Sequence, residues 1–484
     1  MKTIKSILSL FILTFAVAVH AQDWTSGLNS GGSYPQTSTD VTEASGSSTV
    51  VVGTYTRGTA VFGSKTLDWV SQYPSDPTNM TPNGFIVKYS LYNSVLWATR
   101  IPAAGGVIIS SVTADASGNI YVCGTYSYIC EFYNASSPNA ATPVTTLPSS
   151  TISPVSAERR GFIAKYSSSG LLQWARRGLG DSEVITDIAV SEDKTQLAVT
   201  GRVYTADPGS GVTTGSYVLW VDPATGNTVR AYNYSDSYTY TSINKTGLCI
   251  DHANNVIVSG RMEGTSYLVK GAGGASGNIT VSSSSGGWST IYAKYNSSGV
   301  LSWARATKAT ISTPRTSSSS LVVDENNDIY IAGWIGSGTS NFDLQFPASS
   351  TTYTNIPVPT STTNSGYIVK LNSANGYALW KSYARNTTTG NEAISLANGK
   401  CNFIYACINT TASPTYTDAS STVISPAISS QGLAIVPINT SGQLLTTTPW
   451  IINGVIAKAH IASSGKSTLQ CVSTASSPVS LQTS

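Results

Sequence analysis

Short apolar runs separated by polar turns recur along the chain, and helical periodicity is absent after residue 21. One unit shows the pattern clearly, with apolar runs at residues 108–114, 119–126, 161–166 and 171–177. The runs are rich in β-branched and aromatic residues, and Gly, Ser, Asn or Asp stands at most of the turns between them. The pattern therefore predicts an all-β chain that is built from units of four strands.

The elements of this unit recur with the same residues at matching places. The last two runs have copies at Gly84–Tyr89 through Trp97, Gly161–Tyr166 through Trp174, Ile291–Tyr295 through Trp303, and Gly366–Lys370 through Trp380. The polar turn and the run after it have copies at Asp115–Gly124, Asp251–Gly260 and Asp324–Gly333, and weaker ones at Ser45–Gly53, Ser191–Gly201 and Ala397–Cys407. The last turn places Gly170, Gly299 or Asn93 where a tight hairpin needs a positive φ. Such self-similarity predicts a repeat architecture.

The number of units follows from the fourth runs. They lie near Trp24, Trp97, Trp174, Arg230, Trp303, Trp380 and Thr446. The first of them has no mature strand before it, whereas residues 454–484 supply only the first two or three strands of a unit. We therefore predict a seven-bladed β-propeller of four-stranded antiparallel blades, whose N-terminal strand joins the C-terminal blade and closes the ring.

The whole mature chain, residues 22–484, is predicted to form this single domain. The predicted blades are residues 36–101, 107–180, 183–236, 241–308, 312–388, 391–453, and 454–484 together with 22–30. In this scheme both ends of the array are hidden inside one blade.

The repeat resembles that of a known group of proteins. Asp115-Ala-Ser-Gly-Asn-Ile-Tyr-Val-Cys-Gly124 and Gly161-Phe-Ile-Ala-Lys-Tyr-Ser-Ser-Ser-Gly-Leu-Leu-Gln-Trp174 are similar to the β-propeller repeat of secreted bacterial proteins often called SBBP. The resemblance covers nearly the whole mature chain and is weakest in the third, sixth and seventh blades. It implies a propeller fold without a particular activity, because that family has no single established one.

The first residues have the pattern of an export signal. Lys2 and Lys5 precede an apolar run from Ile7 to Val19, which predicts a signal peptide over residues 1–21 and a secreted or cell-surface protein. Its end at Ala-Gln resembles that of exported Bacteroidetes proteins. The run is shorter than the roughly 20 residues of a membrane helix, and no later run approaches that length.

The charge balance bears on the partners. The chain has 27 basic and 24 acidic residues, and the signal contains two of the basic ones, so the mature protein is nearly neutral. Nucleic-acid binding needs a basic stripe that this composition does not supply. We therefore expect an extracellular glycan or protein as partner, without nucleic acid and without a membrane span.

Residues with catalytic or metal-binding chemistry are sparse. The mature chain has two histidines, His252 and His460, which is too few for a multi-histidine metal site, and we expect structural roles for both. Asp324–Asp328 has the oxygen spacing of a calcium loop, but the similar turns at Asp115 and Asp251 favour a structural Asx turn. The sequence thus predicts no catalytic residue and no cofactor, with calcium as the remaining alternative.

Six cysteines in an exported chain permit disulfides. Two local bridges are candidates, Cys123 with Cys130 and Cys401 with Cys407. The sequence does not decide between these and other pairings.

Two residue types repeat at fixed places in the blades. The tryptophans are Trp97, Trp174, Trp303 and Trp380, and the lysines are Lys88, Lys165, Lys294 and Lys370. Because they recur with the fold, we expect them to pack and pair between strands rather than to bind a ligand.

The connections between second and third strands differ from blade to blade. They cover approximately residues 57–83, 127–160, 204–214, 262–289, 335–365 and 409–431. In a propeller these connections emerge on one face, and long variable loops on a rigid scaffold are where binding usually occurs. Their non-repeating aromatics are therefore candidate ligand-binding residues: Trp69, Tyr73, Tyr133, Trp288, Trp334 and Tyr353. The alternative is that the loops fold back and bury these rings.

Three functions fit the sequence. The favoured one is a non-enzymatic interaction or adhesion scaffold that binds glycan or protein through the long-loop face. A carbohydrate-active hydrolase or lyase would need paired carboxylates at the centre of the propeller. A structural subunit of an extracellular matrix or filament is the third.

Overall fold

A computed structural model describes most of the chain after residue 30. The described residues are 31–32, 36–70, 81–148, 159–180, 182–204, 210–235, 247–283, 287–311, 315–336, 342–358, 365–385, 392–398, 403–410, 415–424, 432–444, 450–453, 456–463, 469–475 and 480–482. Within them the regular elements are strands, apart from 3₁₀ turns at Ser45–Ser47 and Gly274–Gly277. The predicted signal peptide and the N-terminal strand at 22–30 lie outside the described residues.

Six sheets in the described part contain four antiparallel strands in sequence order. The strands are Gln36–Ala44, Ser48–Tyr55, Asn83–Tyr89 and Val95–Ile101; Val107–Ala114, Ile120–Tyr126, Arg160–Tyr166 and Leu172–Arg177; Glu183–Val190, Leu197–Val203, Gly215–Val221 and Thr228–Ser235; Gly247–Ile250, Val256–Glu263, Trp288–Tyr295 and Leu301–Ala306; Thr316–Val323, Ile329–Ile335, Ser365–Leu371 and Ala378–Arg385; Glu392–Asn398, Phe403–Thr410, Gly432–Asn439 and Trp450–Asn453. The prediction of an all-β chain of four-stranded antiparallel units is confirmed.

The sheets follow one another in a propeller-like order. The first strands of consecutive sheets contact each other, so they lie on the side where the sheets converge. Apolar side chains fill the space between neighbouring sheets: Val52 and Ile86 of the first sheet share a cluster with Val122 and Ala164 of the second. The fold therefore has a separate hydrophobic core between each such pair of sheets, rather than a single central one.

A close approach between strands explains the glycine that recurs two residues before the end of the second strand. The first strands carry a β-bulge, for example between Ile109 and Ser111. The bulge brings the carbonyl oxygen of Ile108 to 2.2 Å from the place where a Cβ on Gly124 would lie, and the ring of Phe162 covers the other side at 2.7 Å. Matching contacts surround Gly53, Gly201 and Gly333. A side chain does not fit there, which is why glycine recurs.

The connections between second and third strands hold secondary structure of their own. Five hairpins occur in them among the described residues: Thr59–Phe62 with Lys65–Asp68, Cys130–Phe132 with Thr145–Leu147, Ser266–Val269 with Ile279–Ser282, Phe342–Pro347 with Tyr353–Val358, and Thr415–Thr417 with Val423–Ile424. Two short strands, Gly31–Gly32 and Lys308–Ala309, join the first and the fourth of these hairpins. These long, variable connections therefore contain hairpins that the sequence analysis did not predict.

The hairpins pack on the outer strands of the sheets. Cys130–Phe132 contacts the outer strand of the first sheet, and Thr145–Leu147 contacts that of the second. Such hairpins bridge neighbouring sheets along the rim and shield strand edges that would otherwise be open to pairing.

The end of the chain forms two further pairings. Ile456–Ser463 and Leu469–Ala475 form a two-stranded antiparallel sheet. Ser480–Gln482 pairs with Trp450–Asn453, the outer strand of the sixth sheet.

The predicted bridge between Cys123 and Cys130 is absent. Both residues are buried thiols, and Cys249 is also a reduced thiol. Burial raises the pKa of the Cys130 thiol well above its ordinary value. Cys401 lies outside the described residues, so the second candidate bridge stays a prediction.

Candidate functional site

The two ends of the strands differ, and we name them by their connections. The turn face carries the tight turns that join first to second and third to fourth strands. The loop face carries the hairpin-containing connections and the crossings from one sheet to the next. Most of the repeating residues contribute to the turn face, and the candidate binding aromatics belong to the loop face.

On the turn face, a tryptophan and a lysine of one sheet hold the next sheet. Trp97 Nε1 and Lys88 Nζ donate to the carbonyl oxygen of Ser168, over 3.1 Å and 3.2 Å. The same pair of bonds joins Trp174 and Lys165 to Pro223 O, Trp303 and Lys294 to Ser373 O, and Trp380 and Lys370 to Thr440 O. The glycine of each accepting turn packs against the tryptophan ring, as Gly170 does on Trp97. The structural role expected for these residues is confirmed.

The third sheet keeps this contact with the two residue types exchanged. Trp220 lies on the third strand where the first, second, fourth and fifth sheets have lysine, and Arg230 lies opposite it on the fourth strand where they have tryptophan. Arg230 Nη1 donates to the carbonyl oxygen of Ser297 over 3.0 Å, at the equivalent turn of the fourth sheet. The sheet whose repeat resembles the others least therefore preserves their contact to the next sheet.

The aspartates of the first turns are buried structural groups. Asp324 Oδ1 accepts the backbone N–H groups of Asn326 and Asp328, each over 2.9 Å. Lys370 Nζ lies 3.5 Å from Asp324 Oδ2 and 2.9 Å from Asp328 Oδ2. The ammonium group thus occupies the place that a calcium ion would need, and the loop is an Asx turn. Asp115 and Asp251 bind their own turns in the same way.

Neighbouring turns are also joined by side chains. Lys194 Nζ donates to Ser117 Oγ, and Asn254 Nδ2 donates to Asp193 Oδ2. His252 Nδ1 lies 2.9 Å from Glu192 Oε1, so this histidine links two turns, as expected from the sequence. His460 has no described side chain.

Two carboxylates meet on the innermost strands. Ser111 Oγ lies 2.7 Å from Asp40 Oδ2 and 2.8 Å from Asp187 Oδ1, which joins the first strands of the first three sheets. Asp40 also accepts the backbone N–H of Val112, and Asp187 accepts that of Leu248, each over 3.0 Å. The cluster therefore connects four consecutive first strands. The repeat pattern did not predict this cluster, because Ser111 of the second sheet stands where the first and third sheets have Asp40 and Asp187.

On the loop face, the candidate aromatics have different environments. Tyr133 is 3% exposed, and its hydroxyl donates to Glu131. Trp69 is half-buried, and its Nε1 donates to the carbonyl oxygen of Thr81. Tyr353 is half-buried with Lys308 Nζ at 5.0 Å from its ring centre, and Tyr73 lies outside the described residues. Trp69, Tyr133 and Tyr353 thus belong to three different connections between second and third strands.

Trp288 lies beside two arginines that the sequence analysis did not single out, and one of them, Arg315, lies against Gly336 together with Trp334. The guanidinium carbon of Arg261 lies 4.1 Å from the ring centre of Trp288, and that of Arg315 lies 5.4 Å from it. Gly336 lies between Arg315 and Trp334: a Cβ on it would be 2.9 Å from Arg315 Cβ and 3.3 Å from the Trp334 ring. Both tryptophans are half-buried and Arg315 is exposed. We call Arg261, Trp288, Arg315 and Trp334 the Trp288 patch.

The Trp288 patch carries an excess of positive charge. Arg261 is 3% exposed and forms an ion pair with Glu263 over 2.9 Å. Burial lowers the pKa of Arg261, the charge of Glu263 opposes that shift, and the charge of Arg202 adds to it. The positions of Arg202 and Arg261 directly after Gly201 and Gly260 would have been a usable signal, since both follow the same glycine of the repeat.

One buried carboxyl also lies at the loop-face end of a first strand. Glu183 is 0% exposed and accepts a hydrogen bond from the Tyr217 hydroxyl. Burial raises the pKa of Glu183 to about 7, although Tyr217 and backbone groups of Leu179 and Gly180 oppose the rise.

Metal-binding clusters and membrane-spanning helices are absent from the described residues. No group of three or more His, Cys, Asp or Glu side chains that could hold a metal ion occurs among the described residues. Likewise, none of their helices is long and apolar enough to cross a membrane.

Comparisons with known proteins place the chain near repeat proteins. No family model matches it. An uncharacterized WD repeat-containing protein of Acanthamoeba polyphaga mimivirus is 26% identical over 195 residues, which is 38% of this chain and 13% of that protein. The chain thus spans a small part of this curated relative.

Solved structures resemble it with low scores. A protein of unknown function from Bacteroides caccae has a TM-score of 0.35 and 11% identity, covering 75% of this chain and 89% of that one. An ulvan lyase has a TM-score of 0.41 and 9% identity, covering 85% of this chain and 83% of that one.

Proposed function

We propose that the chain is a secreted or cell-surface propeller of the SBBP type, with seven blades in a closed ring. One contact supports the count: Ile456–Ser463 packs against the first strand of the sixth sheet and also against Gln36–Ala44 of the first sheet. It therefore lies where the innermost strand of a seventh blade belongs.

The turn-face contacts indicate how the ring is closed. In each preceding case, a tryptophan or, in the third sheet, Arg230 of a fourth strand donates to the carbonyl of the second turn residue in the next sheet. In the first sheet that residue is Leu91, which is 51% exposed beside Tyr92, which is 87% exposed. We propose that Trp24, on the N-terminal strand of the seventh blade, donates to the Leu91 carbonyl.

We propose further that the protein is a non-enzymatic scaffold that binds an extracellular glycan through the loop face. The Trp288 patch is the observation that carries this proposal. Two tryptophans with exposed ring area stand beside a guanidinium group on a rigid sheet, and flat aromatic faces are suited to stacking on sugar rings. The repeating tryptophans differ from these two because their Nε1 groups are used within the fold.

Glycan-array binding of three variants tests the proposal. We expect Trp288→Ala and Trp334→Ala to lose binding while they remain folded. Tyr133→Ala is the matched control. Loss of this buried loop-face ring should lower stability without changing the binding of the folded fraction. Wild-type-like binding by both tryptophan variants would remove the patch from consideration. Large assemblies of the wild type on native chromatography, without glycan binding, would favour a matrix subunit.

A second function, polysaccharide cleavage at the centre, is favoured by the Asp40–Ser111–Asp187 cluster. The Ser111 hydroxyl lies between the two carboxylates, at 2.7 Å from one and 2.8 Å from the other. A separation of this kind is comparable with the roughly 5 Å between the carboxyl groups of retaining glycosidases. However, both carboxylates already accept backbone N–H groups. We therefore expect Asp40→Asn and Asp187→Asn to lower the midpoint of thermal unfolding. Release of reducing ends or unsaturated products by the wild type, and its loss in both variants, would instead establish the enzyme.

A further inference from the structure

We propose that the glycan bound at the Trp288 patch is anionic, carrying carboxylate or sulfate groups that pair with Arg315. This inference rests on the proposed function and specifies the class of its ligand. It does not depend on the blade count or on how the ring is closed.

The first argument concerns the charges around Trp288. Arg261 and Arg315 lie against its ring, and Arg202 is near enough to Arg261 to repel it. Glu263 forms the ion pair with Arg261. Because Glu263 pairs with Arg261, the cation of the patch that faces solvent is the exposed Arg315. A neutral sugar would gain little from this excess of positive charge.

The second argument concerns the geometry of Arg315. Its guanidinium carbon lies 5.4 Å from the ring centre of Trp288, and its Cβ and the Trp334 ring both lie against Gly336. Gly336 N–H donates to the carbonyl oxygen of Arg315 over 2.6 Å, which fixes the backbone at this place. A sugar stacked on either ring would bring its substituents next to a planar guanidinium group. That group binds carboxylate and sulfate oxygens with two parallel hydrogen bonds.

A comparison with another cation–aromatic pair supports this assignment. Arg100 lies 4.6 Å from the ring centre of Tyr133, but it is 4% exposed and donates to the carbonyl oxygens of Asp68 and Ala140. That arginine holds hairpins to the outer strand of the first sheet. Arg315 is exposed instead, so its guanidinium group is accessible to a ligand from solvent.

The test compares binding to dextran sulfate, polygalacturonate and unmodified dextran at fixed ionic strength. We expect the wild type to bind at least one of the charged polymers and to bind dextran much more weakly. Arg315→Gln keeps most of the side chain but removes the charge, and should weaken that binding about tenfold or more. Lys194→Gln is the matched control, because it removes an exposed cation from the turn face. Its binding should equal that of the wild type.

Three results would overturn the inference. They are equal losses in Arg315→Gln and Lys194→Gln, unchanged binding in Arg315→Gln, and dextran binding as strong as that of the charged polymers. Binding of neutral glycans that depends on Trp288 and Trp334 but not on Arg315 would leave the proposed function standing. If the protein bound no saccharide, both would fail.

Discussion

The turn face and the loop face use the same residue types for opposite purposes. On the turn face, tryptophans and cations recur and their donors bind backbone carbonyls, as Trp303 and Lys294 do at Ser373. On the loop face, Trp288 and Arg315 do not recur, and part of their surface is open to solvent. The recurring residues therefore form contacts between neighbouring sheets, and the non-recurring ones are those for which we propose ligand binding.

The third sheet shows that the repeating unit is a contact rather than a sequence. Arg230 departs from the tryptophan found in four of the other sheets, yet it binds the same carbonyl position of the next turn. The aromatic residue and the cation have exchanged places between the third and fourth strands. The sequence of the repeat changes, but the hydrogen bond to the next sheet is preserved.

We expect the largest loss of stability on removal of the N-terminal strand, for which we propose a turn-face contact to the first sheet. Deleting residues 22–30 should destabilise the whole ring by on the order of 5 kcal/mol, a loss comparable with the total stability of a marginally stable domain. Chemical denaturation measures this loss. Trp24→Ala should show a smaller effect in the same direction. If the deletion unfolds like the wild type, the closed seven-blade ring is wrong.

The next effect concerns pH and the loop-face end of the third sheet. The pKa of Glu183 is raised from 4.5 to about 7 on folding, so its contribution is fully present below pH 4.5 and is lost as the pH rises through 7. The free energy of unfolding should fall over this window by on the order of 3 kcal/mol. Glu183→Gln keeps the acceptor for Tyr217 and should remove this fall. Parallel pH profiles of the two proteins would show that Glu183 does not titrate there.

A smaller effect tests the exchange in the third sheet. Trp220→Lys and Arg230→Trp should each cost about 2 kcal/mol, because each leaves two residues of the same type facing each other. The double variant restores the arrangement of the other sheets and should lie within about 1 kcal/mol of the wild type. A double-mutant cycle measures the coupling, and additive losses would show that the two positions act independently.

Much of the turn face could be predicted from the sequence, because each repeated residue is observed several times. The four strands of residues 108–177 were placed within one residue of their observed ends. The positive φ angles of Asn93, Gly170 and Gly299 were also predicted correctly. The repeats supply several copies of each local pattern. A copy that deviates can therefore be interpreted by comparison with the others.

The loop face could be predicted only in part. Trp288 and Trp334 were singled out because they do not repeat, but their common site depends on Arg315, which lies on a crossing between sheets. The hairpins were missed because each has its own sequence and length. Burial of Tyr133 and Glu183 depends on side chains from neighbouring sheets, which no local pattern reports.

The most direct test of the account compares two tryptophans of the fourth sheet in one experiment. Trp303→Ala and Trp288→Ala are measured for thermal unfolding and for glycan binding below the unfolding temperature. We predict that Trp303→Ala loses about 3 kcal/mol or more of stability and keeps its binding, whereas Trp288→Ala loses binding with a smaller change in stability. If both variants lost stability and neither lost binding, the functional distinction between the two faces would be contradicted.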